Sequence, residues 1–170
     1  IASCLVGSEM CIRDRIAISV DTLVEGIHFS PDADPESLGH KSLAVSLSDL
    51  AAMGATPAWF TLALTLPAVD LIWLAAFAKG LANLATQHKI ALIGGDTTRG
   101  PLSITVQVHG FVDAKQALRR DGAKEGDNIY VSGTLGDAGA GLKLKQSQLN
   151  NISGTDTDLM FLQQRLDKPT

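Results

Sequence analysis

The period of the apolar positions changes several times along the chain, and each change marks a new element. "IAISV" (16–20) is a short apolar run ending at Asp21, the pattern of a buried strand. The proline-rich, polar stretch "SPDADPES" (30–37) reads as a connection. In "ESLGHKSLAVSLSDLAAMG", Leu38, Leu43, Leu47 and Leu50 fall on roughly one face and Gly54 follows as a stop, which predicts a helix over 37–53. "AWFTLALTL" (58–66) is strand-like and closed by Pro67. "DLIWLAAFAKGLANLATQH" (70–88) is a long amphipathic helix, with Asp70 at its start and His88 at its end, where the helix dipole favours each.

Two further strands follow, "IALIGG" (90–95) and "LSITVQVHGFV" (102–112), the second alternating with period 2. "DGAKEGD" (121–127) is turn chemistry, and "NIYVSG" (128–133) reads as a strand. Gly and Ala then lead into a helix running to about Gln148, "NNISGTDTD" forms a loop, and a last helix covers 156–166. Strands alternating with helices, without repeats or low-complexity tracts, predict an α/β fold, or an α+β layered one, with a mixed sheet flanked by helices.

Composition narrows the function classes. The chain has 170 residues, 45% of them hydrophobic, and a formal net charge of −4, which suits one soluble domain or one domain plus part of a second. No basic stripe is present to serve nucleic acid. Every apolar stretch is broken by Asp, Lys or Pro well short of the ~20 residues of a membrane span. Cys4 and Cys11 have no neighbouring His or further Cys, so a reducing, cytoplasmic setting is the reading.

Three acids sit at the edges of predicted elements: Asp21 after the first strand, Asp49 late in the first helix, and Asp96 in "IGGDTTRG". Converging carboxylates serve either as acid/base pairs or as hard ligands for Mg²⁺, which takes one or two carboxylates plus substrate phosphates. Taken singly, an Asp at such a position more commonly caps a helix or a turn. The glycine pair Gly94–Gly95 before Asp96 lets backbone come close to a nucleotide, whose phosphates a carboxylate meets through a cation. The chain contains no G-x-x-x-x-G-K-[ST], and "GTLGDAGAG" fits a dinucleotide pattern only loosely. His28, in "DTLVEGIHF", is either a structural hydrogen-bonding residue or a substrate contact. Arg119 and Arg120 are either a solvated pair or a source of one guanidinium aimed at phosphate.

"SVDTLVEGIHF", "KSLAVSLSDLAAMGATP", "IALIGGDTTRGP" and "RRDGAKEGDNIYVSGTLGDAGAGL" together resemble, in order and spacing, the N-terminal half of the bacterial thiamine-monophosphate kinases, from about residue 16 onward. The wider superfamily includes aminoimidazole ribonucleotide synthetase, selenophosphate synthetase and a hydrogenase maturation factor. The resemblance implies transfer of the γ-phosphoryl of ATP to thiamine monophosphate, with several Mg²⁺ ions holding the two anions together. Positioning and charge neutralisation then supply most of the catalysis. Carried over by motif, it makes Asp21, Asp49 and Asp96 metal ligands, with Ser19 and Val20 contributing through hydroxyl or backbone carbonyl. It puts Gly95, Asp96 and Arg120 on ATP and His28 on the thiamine phosphate. It further implies a homodimer closed into an eight-stranded barrel through the N-terminal domains, with "AWFTLALTL" and "LSITVQVHGFV" at the seam. The rival expectation is that these strands pack only on their own helices.

The chain departs from the family pattern in two places. A "GDDAA"-type segment normally precedes "SVDTLV", and residues 1–15, "IASCLVGSEMCIRDR", read instead as a non-native or chimeric join. A "DISDG"-like motif of a C-terminal domain does not appear. The expected organisation is therefore an ATP/Mg-binding and dimerisation domain over 16–135 and the start of a truncated domain over 136–170, with weak or absent turnover and residual Mg·ATP binding. The alternatives are another ATP-using synthetase of the superfamily, or a non-catalytic nucleotide-binding dimer module.

Overall fold

The computed structural model describes residues 14–131, 133–146 and 154–169. Among these, the strands are β1 (Asp14–Val24), β2 (Thr56–Leu66), β3 (Ala91–Arg99) and β4 (Ser103–Asp113). The helices are α1 (Pro35–Ala52), α2 (Leu71–Gln87), α3 (Asp137–Lys145) and α4 (Asp156–Asp167). Cys4, Cys11 and most of the stretch read as a join lie outside the described residues, whereas Asp14 and Arg15 already belong to β1. The chain divides into two compact units, Ile1–Ala123 and Lys124–Thr170.

In the first unit the sheet order is β1-β4-β2-β3. β4 runs antiparallel to both neighbours, and β2 and β3 are parallel, joined through α2 as parallel strands must be. β1 and β3 are thus the two edges. β4 alternates as its period-2 pattern predicts: Ile104, Val106, Val108 and Val112 are buried against the helices. They meet Phe60 and Leu64 of β2 and Leu38, Leu43, Leu47 and Leu50 of α1 in one core. Each such side chain contributes about 1.5–3 kcal/mol on full burial, so this layer is the main source of stability.

α1 starts two residues before the predicted 37, inside the stretch read as a connection, whereas α2 starts after Asp70 as the sequence predicts. Asp34 caps α1 by accepting from the Ser37 N–H at 2.8 Å, and Asp70 caps α2 by accepting from Ile72 and Trp73. α1 and α2 cross through glycine. A Cβ on Gly39 would lie 2.1 Å from the Phe77 carbonyl oxygen, and one on Gly80 would lie 1.8 Å from that of Glu36. No side chain fits either position.

On the opposite face of the sheet Ile16, Ile18, Val20 and Phe111 are exposed. Trp59 stacks on His109 at 5.8 Å and meets Phe111 edge-on at 5.4 Å. Further along, this face turns polar, with hydroxyl pairs Thr22–Thr105 and Thr65–Thr98. The buried side chains of β2 and β4 therefore pack on the chain's own helices, and an apolar strip remains on the other side.

The structure corrects three sequence readings. β1 continues to Val24 and β3 to Arg99, so Asp21 and Asp96 lie within strands rather than after them. The apolar runs marked only the start of each strand, while the hydrogen-bond ladder extends through the polar residues that follow. The predicted strand at 128–133 does not form over 128–131, and Ser132 lies outside the described residues. Ile129 and Tyr130 are 95% and 86% exposed. β-Prone residues make a strand only beside another strand, and the described part of the second unit offers only helices. There α4 begins with a reciprocal capping box between Thr155 and Asp158, and Gly141 of α3 allows close approach to Leu162.

Candidate functional site

Ser19 and Asp21 are two residues apart on β1, so both face α1. Ser46 and Asp49 are three residues apart on α1, so both face β1. The two elements exchange serine–aspartate bonds. Ser19 Oγ donates to Asp49 Oδ2 at 2.5 Å, and Ser46 Oγ donates to Asp21 Oδ2 at 3.1 Å. The Oδ1 atom of each aspartate has no hydrogen-bond partner among the described residues. The arrangement presents two carboxylates with one oxygen fixed and the other available.

Beside this pair opens a cavity of about 570 Å³, lined by Ile18, Ser19, Asp49, Ala52, Met53 and the segment Leu118–Asp121. The segment is held there by a bond from the Leu118 N–H to the Met53 carbonyl at 3.1 Å, just past the end of α1. Arg119 is clamped by Asp121 through two 3.0 Å bonds, from Nε and from the terminal nitrogen. Arg120 has no such partner among the described residues and lines the same cavity. The lining combines apolar side chains (Ile18, Ala52, Met53, Leu118) with Ser19, Asp49, Asp121 and two guanidinium groups.

The other predicted residues are placed as follows. The Val20 side chain is exposed, with its β1 neighbours Ser19 and Asp21 turned toward α1. Only its backbone can reach the Ser19–Asp49 side. His28 closes a tight turn after β1: its Nδ1 accepts from the Val24 N–H at 3.0 Å, and its own N–H donates to the Val24 carbonyl at 2.9 Å. In the neutral ring the proton is therefore on Nε2.

Gly95 and Asp96 stand apart from this group. In the sheet register Asp21 pairs with Val106, Val106 with Leu62, and Leu62 with Gly95, so three strand spacings, roughly 14 Å, separate the two edges. Asp96 is exposed, and one of its oxygens accepts from the Thr97 N–H at 2.8 Å. Gly95 has φ 149°, and a Cβ there would lie 1.8 Å from the Leu62 carbonyl oxygen. Its lack of a side chain is thus required by β2. Gly94, with nothing within 4 Å, is the glycine that leaves open space. Among the described residues no three His, Cys, Asp or Glu side chains gather as a metal-binding group.

Sequence reasoning did not single out Ser46, or Met53 and Leu118. Ser46 had a legible signal, a hydroxyl set into the stripe of Leu43, Leu47 and Leu50. Met53 and Leu118 had none, because their meeting depends on how the chain after β4 turns back.

The first unit is thus a mixed sheet with two helices on one face, and its serine-bonded Asp49 lines a cavity together with Arg119 and Arg120. The AIR synthase related protein N-terminal domain model matches residues 8–112, and the chain belongs to that family. The thiamine-monophosphate kinase of Salmonella typhimurium (strain LT2) is 56% identical over 158 residues, which are 93% of this chain and 48% of the relative. The crystal structure of thiamine-monophosphate kinase from Stenotrophomonas maltophilia K279a matches with a TM-score of 0.86 and 51% identity, covering 93% of this chain and 51% of that one. The structure of AaThiL complexed with AMPPCP and TMP matches with a TM-score of 0.84 and 31% identity, covering 92% of this chain and 50% of that one. The chain spans about half the length of the relatives it matches. No helix among the described residues is long and apolar enough to cross a membrane.

Proposed function

We propose that this chain forms the Mg·ATP-handling part of a cytoplasmic kinase that phosphorylates thiamine monophosphate to thiamine diphosphate. The observation that carries the reading is the serine-braced pair Asp21 and Asp49, of which Asp49 lines a cavity with Arg120, in a chain 56% identical to a thiamine-monophosphate kinase. The donor set suits Mg²⁺, which prefers hard oxygens and takes few protein carboxylates when phosphates complete its shell. Asp21 and Asp49 would hold the ion through their available oxygens, with Ser19 and the Val20 carbonyl alongside. The ion would supply charge neutralisation between two polyanions. Arg120 meets the ATP phosphates as a planar fork, while Arg119, already paired, keeps the segment in place. His28 offers its Nε2 proton to the phosphate of the acceptor.

Asp96 and Gly95 join this site in a homodimer. The two sheet edges and the apolar strip Ile16, Ile18, Val20 and Phe111 support the pairing, since a barrel closed from two sheets removes edges and covers such a face. Setting the β3 of one copy beside the β1 of the other puts Asp96 one strand spacing, about 5 Å, from the strand of Asp21.

Calorimetric titration with Mg·AMPPCP tests the reading on the parent chain, Asp49→Asn and Asp96→Asn. Binding that is lost in both variants is expected, and parental affinity in Asp49→Asn refutes the site. Unchanged binding in Asp96→Asn removes Asp96 from the site, and sedimentation of Phe111→Asp as a monomer, against a parental dimer, is the accompanying expectation.

A further inference from the structure

α1 carries two buried serines one turn apart, Ser42 and Ser46, which are 1% and 0% exposed. A serine inside a helix commonly satisfies its hydroxyl by bonding back to a carbonyl of the preceding turn. Ser42 does so, donating to the Gly39 carbonyl at 3.0 Å. Ser46 does not. It reaches off the helix to Asp21 Oδ2 at 3.1 Å, with the Val106 carbonyl at 3.3 Å as a second acceptor. A hydroxyl has one proton, and the shorter contact to a charged acceptor takes the larger share of it.

We infer that Ser46 is a positioning residue for the cation site, holding one oxygen of Asp21 so that the other is aimed outward; this assignment rests on the metal-binding reading of Asp21 and Asp49. Its position accounts for why a polar group is tolerated in the middle of the leucine stripe. Val106 is the β4 partner of Asp21 in the ladder, so the Ser46 hydroxyl is anchored to the same cross-strand pair whose carboxylate it holds. Without the hydroxyl, the Asp21 side chain regains its rotamers and must be ordered again when the ion binds. Ser19 does the reciprocal work for Asp49. Ser46 itself is fully buried, so it touches neither ion nor substrate and acts through Asp21.

Outer-shell groups of this kind are worth about 10–100-fold in metal affinity. The test is direct Mn²⁺ binding, read by the loss of the free-ion signal in electron paramagnetic resonance, for the parent chain, Ser46→Ala and Ser42→Ala. Both variants remove one buried hydroxyl from the same helix, so a purely structural role moves them alike. The expected result is at least a tenfold weaker Mn²⁺ affinity in Ser46→Ala and a change within about twofold in Ser42→Ala. Should Ser46→Ala not fold, Ser46→Cys keeps the volume with a much weaker donor and carries the same expected loss. Equal affinities in the Ser46 and Ser42 variants overturn the assignment of Ser46 alone. Failure of the parent chain to bind Mn²⁺ overturns the cation site, and Ser46 with it.

Discussion

Gly80→Ala separates two effects of opposite sign. On an exposed helix position, replacing Gly by Ala stabilises by about 1 kcal/mol, because Ala loses less backbone entropy and has the higher helix propensity. Gly80 is buried where α2 crosses α1, and a Cβ there would lie 1.8 Å from the Glu36 carbonyl oxygen and 2.7 Å from its carbon. Both atoms are backbone, so no side-chain rotation relieves the clash. Restoring an ordinary contact of 3.4 Å requires the first turn of α1 to move away by about 1.6 Å. A shift of that size opens the seam around Phe77, Leu81 and Leu38, all buried, and forfeits a quarter to a half or more of the dispersion at each opened contact. Overpacking of this kind costs about 1–3 kcal/mol, and a backbone-to-backbone clash belongs at the upper end. Setting about 3 against about 1 leaves a net loss of about 2 kcal/mol. Urea unfolding followed by circular dichroism measures it, with Ala82→Gly, at an exposed position of the same helix, calibrating the propensity term. The midpoint of Gly80→Ala is expected to fall by more than that of Ala82→Gly. A rise in the Gly80→Ala midpoint would refute the reasoning, because the helices would then have room to spare.

The remaining predictions concern the edge strand, the cavity and the second unit. Gly95→Ala is expected to destabilise the first unit by at least 1–3 kcal/mol, since it combines a disfavoured φ of 149° with a clash on the Leu62 carbonyl, whereas Gly94→Ala is expected to leave the unfolding midpoint nearly unchanged. Arg120→Ala should weaken Mg·AMPPCP binding in calorimetry while the melting temperature holds, and Arg119→Ala should act mainly by loosening the 118–121 segment, seen as faster amide exchange at Leu118. The Asp158 carboxyl is held below its usual 3.8 by the Thr155 backbone N–H and then by its hydroxyl. A depressed folded-state value means the cap contributes above the ordinary carboxylate range and is lost as pH falls through the lowered value. Far-UV circular dichroism should therefore show α4 fraying on acidification below about pH 4, a dependence that Asp158→Asn removes.

Most of the elements were legible in the sequence because their signals are local. The leucine spacing of α1, the Asp70 cap of α2 and the alternation of β4 each depend on residues within a turn or two of one another. The ends of β1 and β3 were not legible, because polar residues continue a strand only when a neighbour supplies the ladder. The strand expected at 128–133 failed over 128–131 for the same reason in reverse: suitable residues lack a strand partner among the described ones.

The candidate site divides along the same line. Residue type alone marked the candidate side chains: acids at 21, 49 and 96, arginines at 119 and 120, and a histidine seven residues after the first acid. Which of them meet depends on how the strands and helices pack. That packing joined Asp21 and Asp49 through reciprocal serines, swung Arg120 to the end of α1, and left Asp96 on the far edge of the sheet. Residue type and helical or strand period are properties of a few consecutive residues, whereas strand order is set by which apolar faces bury best against each other. That global choice put two strands between Asp21 and Asp96.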